Sequence, residues 1–280
     1  MLSRRNKDKA FRYVARFMVV LACSILALLL FQILKDGMEY LDWDFLTSYP
    51  SRRPSRAGVL SAVVGSAYMM GLVALIAVPV GVATALFLEE YMPRGKFYNF
   101  LQVNIGSLAG MPSIVYGLLG LAIFVRFFAL DRSLIAGAMT LSLLVLPVIV
   151  IAAQGAIRAV PRNLREAGYA LGARKYQVVL GQVLPAATPG IMTGVILALS
   201  RAIGESAPMI LLGALSYVAF LPEGIMDAYT VLPVQIYSWV ARPQESFHAL
   251  AASGIIVLIV FLFALNFTAI AIRNRYQRYK

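Results

Sequence analysis

Charged residues along this chain are sparse and clustered, and the stretches between them are apolar. Between Arg16 and Lys35 lie 18 residues without a charge, and between Arg56 and Glu89 there are 32. Lys96 to Arg126 encloses 29, Arg132 to Arg158 encloses 25, and Glu245 to Arg273 encloses 27. The window from Lys175 to Glu223 holds 47 residues, interrupted only by Arg201 and Glu205. A helix needs roughly 20 apolar residues to cross the hydrocarbon core of a bilayer. The pattern therefore predicts an all-α, polytopic membrane protein with six spans, at about 16–34, 60–88, 99–125, 134–157, 190–218 and 249–271. Residues 31–40, FQILKDGMEY, lack a small-x-small cleavage pattern, so the first span reads as a retained helix.

Composition excludes the soluble alternatives. Only 14% of the 280 residues are charged and 60% are hydrophobic, where a soluble domain carries about 25% charged residues. Mean hydropathy is +0.78. A soluble enzyme, a nucleic-acid-binding domain and a disordered tail are all ruled out by these values. The excess of 25 Lys and Arg over 13 Asp and Glu then reports topology rather than an acidic ligand. On one side fall Arg4, Arg5, Lys7, Lys9, Arg12 and Arg16, the second-to-third connection with Arg94 and Lys96, the fourth-to-fifth connection with Arg158, Arg162, Arg165, Arg174 and Lys175, and the C-terminal Arg273, Arg275, Arg278 and Lys280. That side carries 17 of the basic residues and the other side 7. The positive-inside rule places both termini in the cytoplasm. A seventh span, made by dividing residues 176–222, would expel the basic C-terminus and is rejected on that ground.

The chain reads as one membrane domain over residues 1–280, without tandem repeat or low-complexity tract. Gly106–Gly110 and Gly190–Gly194 are GxxxG pairs, a spacing that lets helix backbones approach. Cys23 is the sole cysteine and is expected to be a small buried hydrophobe. With one histidine, His248, there is no metal constellation. Trp43 and Trp239 fall in outer segments and are expected to anchor at the membrane interface.

Residues 158–189, RAVPRNLREAGYALGARKYQVVLGQVLPAATP, are long for a connector. Leu164 and Ala167 share a helical face with Leu171. Gly172 then permits a turn. A short helix with an apolar face in a basic loop has two natural partners: anionic lipid or another protein. Within this loop Glu166, Ala167, Gly172, Leu184 and Pro185 stand at the spacing of the EAA loop of ABC importer permeases, which the chain resembles. Two positions depart from that pattern, Gly168 for alanine and Gln182 for isoleucine. The resemblance implies that Glu166, Ala167, Gly168, Gly172, Leu184 and Pro185 couple the chain to an ATPase subunit. The chain contains no GxxxxGK[ST] phosphate-binding loop, since its Gly95-Lys96 pair is followed by Phe97. It is therefore expected not to be an enzyme and to hold no cofactor itself; ATP and Mg belong to the partner ATPase subunits.

Further segments narrow the resemblance. Pro112-Ser113-Ile114-Val115-Tyr116-Gly117 is similar to the PSIVYG segment of phosphate-specific permeases. Ala77-Val78-Pro79-Val80-Gly81 through Glu89-Glu90-Tyr91 resembles the end of their second span. Arg201-Ala202-Ile203-Gly204-Glu205-Ser206-Ala207-Pro208 and Leu232-Pro233-Val234-Gln235-Ile236-Tyr237 resemble the A-type, PstA family more than the C-type. The likeness covers about residues 59–272. It implies a type I ABC importer permease fold in the inner membrane. It also implies a second, PstC-like permease, two PstB-like ATP-binding subunits and a PstS-like extracytoplasmic phosphate-binding protein as partners, and inorganic phosphate as cargo.

The residue chemistry points the same way. If the fifth span starts near Gly190, Arg201 lies 11 residues in, about 17 Å deep and near the bilayer middle. A charge there costs about 2.5–3.5 kcal/mol on insertion scales, so it faces protein or water. Glu205, four residues on, is within pairing reach on a continuous helix. The guanidinium fork matches phosphate oxygens and stays charged. Arg201, Glu205, Ser113 and Tyr116 are the candidate pathway residues, set against a purely structural ion pair and ordinary helix packing. The rival readings are a permease for another oxyanion or an amino acid, an ion-coupled secondary transporter, and a structural scaffold.

Overall fold

The computed structural model describes residues 4–214 and 217–277, and every regular element among them is helical. α1 (Arg4–Gly37) is followed by the short α2 (Trp43–Thr47). α3 (Leu60–Leu86) runs on into a π turn, Phe87–Tyr91. Next come α4 (Lys96–Ala109) and α5 (Ser113–Gly120), the latter extended by a π turn, Leu121–Phe127. α6 (Leu134–Arg158) is central and α7 (Arg162–Ala170) is short. α8 (Lys175–Val178), a π turn (Val179–Val183) and α9 (Leu184–Ile203) form one rod. α10 (Ala207–Leu212), α11 (Leu232–Val240) and α12 (Glu245–Gln277) complete the order.

Among the described residues, five units are long and apolar enough to cross a membrane: Phe11–Gly37, Leu60–Tyr91, Leu134–Arg158, Lys175–Ile203 and Glu245–Asn274. α4 and α5 make a sixth if taken together, but they meet at a bend of 101°. The third span expected over 99–125 is thus broken. Pro112 stands at the N-cap of α5; it has no N–H to give and disfavours helical backbone at Met111. The fifth span is displaced from the expected 190–218. Its helix begins at Lys175 and stops at Ile203, where Gly204 caps it and Pro208 opens α10. Pro185 does not break the rod because the preceding π turn absorbs it, with the Leu184 N–H reaching back to the Val179 carbonyl. Beyond α10, residues 217–231 are not a continuous helix. Their Ile225 and Asp227 carbonyls accept from the Ile135 and Leu134 N–H groups at the start of α6.

α6 is flanked by α3 and α9. Gly81 packs on Ile149 and Gly137 on Met69, so α3 and α6 are parallel. Gly190 packs on Ala156 and Gly194 on Ala152, so α9 runs antiparallel to α6. The second GxxxG pair is therefore a close-packing face. The first is not, since nothing lies within 4 Å of where a Gly106 Cβ would stand. A second cluster gathers α2, α11 and α12 around Trp239, which is fully buried with its ring 5.9 Å from Phe45. Trp239 is thus a core residue and not an interfacial anchor, because α11 turns inward on α12; Trp43 is exposed. α1 joins the bundle at its end, where Ser253 Oγ donates to the Gly37 carbonyl at 2.6 Å. Its apolar stretch is otherwise uncovered, and Cys23 on it is exposed rather than buried.

Candidate functional site

Two helix breaks meet at the same depth. Counting from the Gly194–Ala152 contact, Arg201 lies seven residues further along α9 and level with Val145, at the middle of the 25-residue α6. Gly120 of α5 packs on Thr140, which by the same reckoning sets Ser113 near the level of Pro147. The end of α9 and the start of α5 therefore both fall near the mid-height of α6. α5 and α10 touch directly there: a Cβ on Gly117 would stand 2.7 Å from Pro208 Cα and 3.0 Å from Leu211. Broken helices at such depth are tolerated where neighbours or a water-filled path satisfy the freed backbone groups.

Arg201 and Glu205 pair across the break, Nε to Oε1, at 3.5 Å. The pairing is not the helix-face contact expected from their spacing, because the helix ends between them at Ile203. The Gly204 and Glu205 N–H groups close the end by bonding the Arg201 and Ala202 carbonyls. The asymmetry of the pair matters more than its length. The Arg201 side chain is 51% exposed, whereas Glu205 is 17% exposed. Glu205 turns into a narrow crevice with Ser66, Met69, Leu141 and Met209. An inward carboxylate thus holds an outward guanidinium at the surface of the bundle. That cation also sits at the C-terminal end of α9, where the helix dipole favours it.

The other two expected pathway residues divide. Ser113 is partly exposed at the first turn of α5. Tyr116 is buried, and its hydroxyl donates to the Leu108 carbonyl at 2.7 Å. That bond ties α5 to the end of α4 across the bend. Tyr116 therefore braces the break.

The segment after α6 is a helix, a turn and a rising rod. Glu166 and Ala167 are exposed on α7, and Leu164 and Leu171 are exposed with them, Leu171 at 86%. Gly168 faces the other way, buried against Val178 and Gln182. Gly172 has φ +78°, and it turns the chain while its N–H bonds the Tyr169 carbonyl and the Ala173 N–H bonds the Gly168 carbonyl. This is the left-handed C-terminal cap that favours glycine. Leu184 and Pro185 lie further on, within the rod. The six residues thus form two groups, with Leu184 and Pro185 away from the exposed face of α7.

The sequence reading missed the residues that hold this segment in place. Glu89 accepts from Arg158 at 2.6 Å and Glu90 accepts from Arg165 at 2.7 Å. Both acids stand on the π turn that ends α3. The signals the chain offered for them were two adjacent glutamates opposite a run of arginines, and the likeness of Glu89-Glu90-Tyr91 to the end of the second span of phosphate-specific permeases.

A helical membrane domain with spans broken at mid-depth beside an ion pair, and an exposed helix standing off one end, is built as a membrane permease. The family of binding-protein-dependent transport system inner membrane components matches residues 77–278, and the chain belongs to it. It is an inner membrane component with several spanning helices. The phosphate transport system permease protein PstA of Haemophilus influenzae is 33% identical, covering 94% of this chain and 92% of that protein. PstA 1 of Mycobacterium tuberculosis (strain H37Rv) is 35% identical over 77% of this chain and 70% of that protein. The probable ABC transporter permease protein YqgI of Bacillus subtilis is 30% identical over 96% of this chain and 95% of that protein. Among solved structures, a bacterial ABC transporter that imports alginate superposes with TM-score 0.68 at 16% identity, covering 98% of this chain and 99% of that one. The MetNI methionine ABC transporter superposes with TM-score 0.60 at 20% identity, over 78% and 94%. The fold is that of an ABC importer permease.

Proposed function

We propose that this chain is the A-type permease of an ATP-driven phosphate importer and forms half of the translocation path. The observation that carries the reading is the half-exposed Arg201, held by Glu205 at mid-depth where two broken helices meet. A charge in that place is costly unless water or a passing ligand meets it. A planar fork of donors suits a tetrahedral oxyanion. Glu205 shares the guanidinium, so phosphate is held briefly and released. Ser113, at the start of α5, offers a further hydroxyl to the same level. The likeness to phosphate transport permeases over most of the chain supports the choice of cargo.

The chain performs no covalent chemistry and binds no cofactor of its own. It works with a second, PstC-like permease, two PstB-like subunits that hydrolyse ATP with Mg, and a PstS-like phosphate-binding protein outside. Its basic end faces the cytoplasm. There the exposed face of α7, with Glu166, Ala167 and Leu171, docks on an ATPase subunit, and Gly172 sets the angle at which α7 is presented.

The test is reconstitution in liposomes with the neighbouring permease, ATPase and binding protein. Phosphate with its binding protein is expected to stimulate ATP hydrolysis and to accumulate inside. Stimulation by an amino acid or by another oxyanion, with phosphate inert, would reject the choice of cargo.

A further inference from the structure

Three consecutive residues on the π turn at the end of α3 each grip a different element. Glu89 is almost fully buried; its carboxylate accepts from Arg158 at the end of α6 at 2.6 Å and from the Tyr98 hydroxyl of α4 at 3.2 Å. Glu90, with a side chain 9% exposed, accepts from Arg165 of α7 through Nη2 at 2.7 Å and Nε at 3.1 Å. The Tyr91 ring lies 5.0 Å beneath Lys175 Nζ at the start of α8.

Arg165 is the knot among them. Besides Glu90, it donates to the Val160 carbonyl at 2.7 Å and the Ile157 carbonyl at 3.0 Å. One side chain thus joins α7 to the ends of both α3 and α6. Exposed ion pairs contribute little, but a shielded pair leaves an uncompensated charge when one partner goes. α7 cannot swing from α3 without stranding Glu90, nor slide along α6 without breaking the Arg165 bonds to the Val160 and Ile157 carbonyls. α3 then carries any displacement along its length to the crevice that its Ser66 and Met69 share with Glu205.

We propose that the Glu89–Glu90–Tyr91 turn is the joint through which movement of α7 reaches the translocation path, with Glu90 and Arg165 as positioning residues. This rests on the reading of α7 as the ATPase-docking helix.

The experiment uses the complete reconstituted complex with Glu90→Ala, Glu90→Gln and Arg165→Lys. Three quantities are read: assembled complex, phosphate taken up per ATP hydrolysed, and the spacing of spin labels at positions 169 and 83 with and without ATP. In the parent the labels should keep one spacing in both states. In Glu90→Ala the spacing should change between states, and uptake per ATP should fall about tenfold with hydrolysis retained. Glu90→Gln, which keeps an oxygen for Arg165, and Arg165→Lys, which keeps the charge, should each lose about two- to threefold. If Glu90→Ala does not assemble, the Gln and Lys variants decide. Uptake per ATP equal to the parent in the assembled variants assigns the pair to stability alone and overturns the proposal. If the parent shows no phosphate-stimulated hydrolysis, the phosphate reading fails instead, and the label spacing, which needs only ATP, still judges the joint.

Discussion

Gly168 and Gln182 lie against each other. A Cβ on Gly168 would stand 2.7 Å from Gln182 Oε1 and 3.0 Å from its Nε2. These are the two positions at which the chain departs from the EAA pattern, so the departures compensate: the longer polar side chain occupies the room that an alanine would take. Gly168→Ala is expected to destabilise the purified permease by about 1–2 kcal/mol through overpacking. Gln182→Ile added to it should recover about 1 kcal/mol, as touching sites couple. Thermal unfolding of the four proteins of the cycle measures this. Strict additivity would show that the contact has no energetic weight.

Gly172 has φ +78° with nothing within 4 Å of a Cβ. Backbone conformation and not space restricts the position. Gly172→Asn should therefore keep most uptake, and Gly172→Val should lose most of it, since a β-branched residue is poorly suited to the left-handed region. Equal uptake by both variants would remove the turn from the account. Glu166→Lys, on the exposed face of α7, should abolish uptake while the chain stays inserted.

How much of this was legible in the sequence depended on charge. Arg158 marked where the fourth span ended, and the charge-free windows located the spanning units, although the fifth begins at Lys175 and not near Gly190. The break after Ile203 was not legible, because residues 176–222 are apolar on both sides of it and the Arg201 and Glu205 charges that flank it can equally pair on a continuous helix. Only Gly204 and Pro208 hinted at it, and both are common inside membrane helices. Arg201 and Glu205 were found by chemistry, as charges in an apolar run, even though the continuous helix assumed beneath them was wrong. Trp239 was misplaced because its segment's position was read without the inward turn of α11. Glu89 and Glu90 entered only as part of a likeness and were given no role, because an acid pair at a helix end resembles any solvated terminus until its partners, Arg158 and Arg165, are brought alongside.

The two GxxxG pairs make opposite expectations. Gly194 packs against Ala152, so Gly194→Val should separate α9 from α6 at a cost of about 1–3 kcal/mol. Gly106 has open space, so Gly106→Val should be nearly neutral. The yield of folded permease after detergent extraction separates them; similar yields would mean that the α6–α9 contact is not a close-packed one.

Orientation is tested by single-cysteine labelling in a Cys23→Ser background. Cysteines at positions 131 and 227 should react with an impermeant reagent from outside, and one at position 175 only after permeabilisation. The 17-to-7 division of basic residues is the ground for this. External labelling at 175 would overturn both the orientation and the docking role of α7.

The central claim is that Arg201 meets phosphate, and phosphate uptake by Arg201→Gln with and without Glu205→Gln tests it most directly. Arg201→Gln should lower uptake at least about tenfold, with the complex still assembled, because the fork and its charge are gone. Arg201→Lys should keep only part. The double variant Arg201→Gln/Glu205→Gln should remain as inactive as Arg201→Gln alone, since relieving Glu205 of its lost partner does not restore a cation to the path. Recovery of uptake in that double variant would show that the pair only holds the bundle together, and would contradict the account.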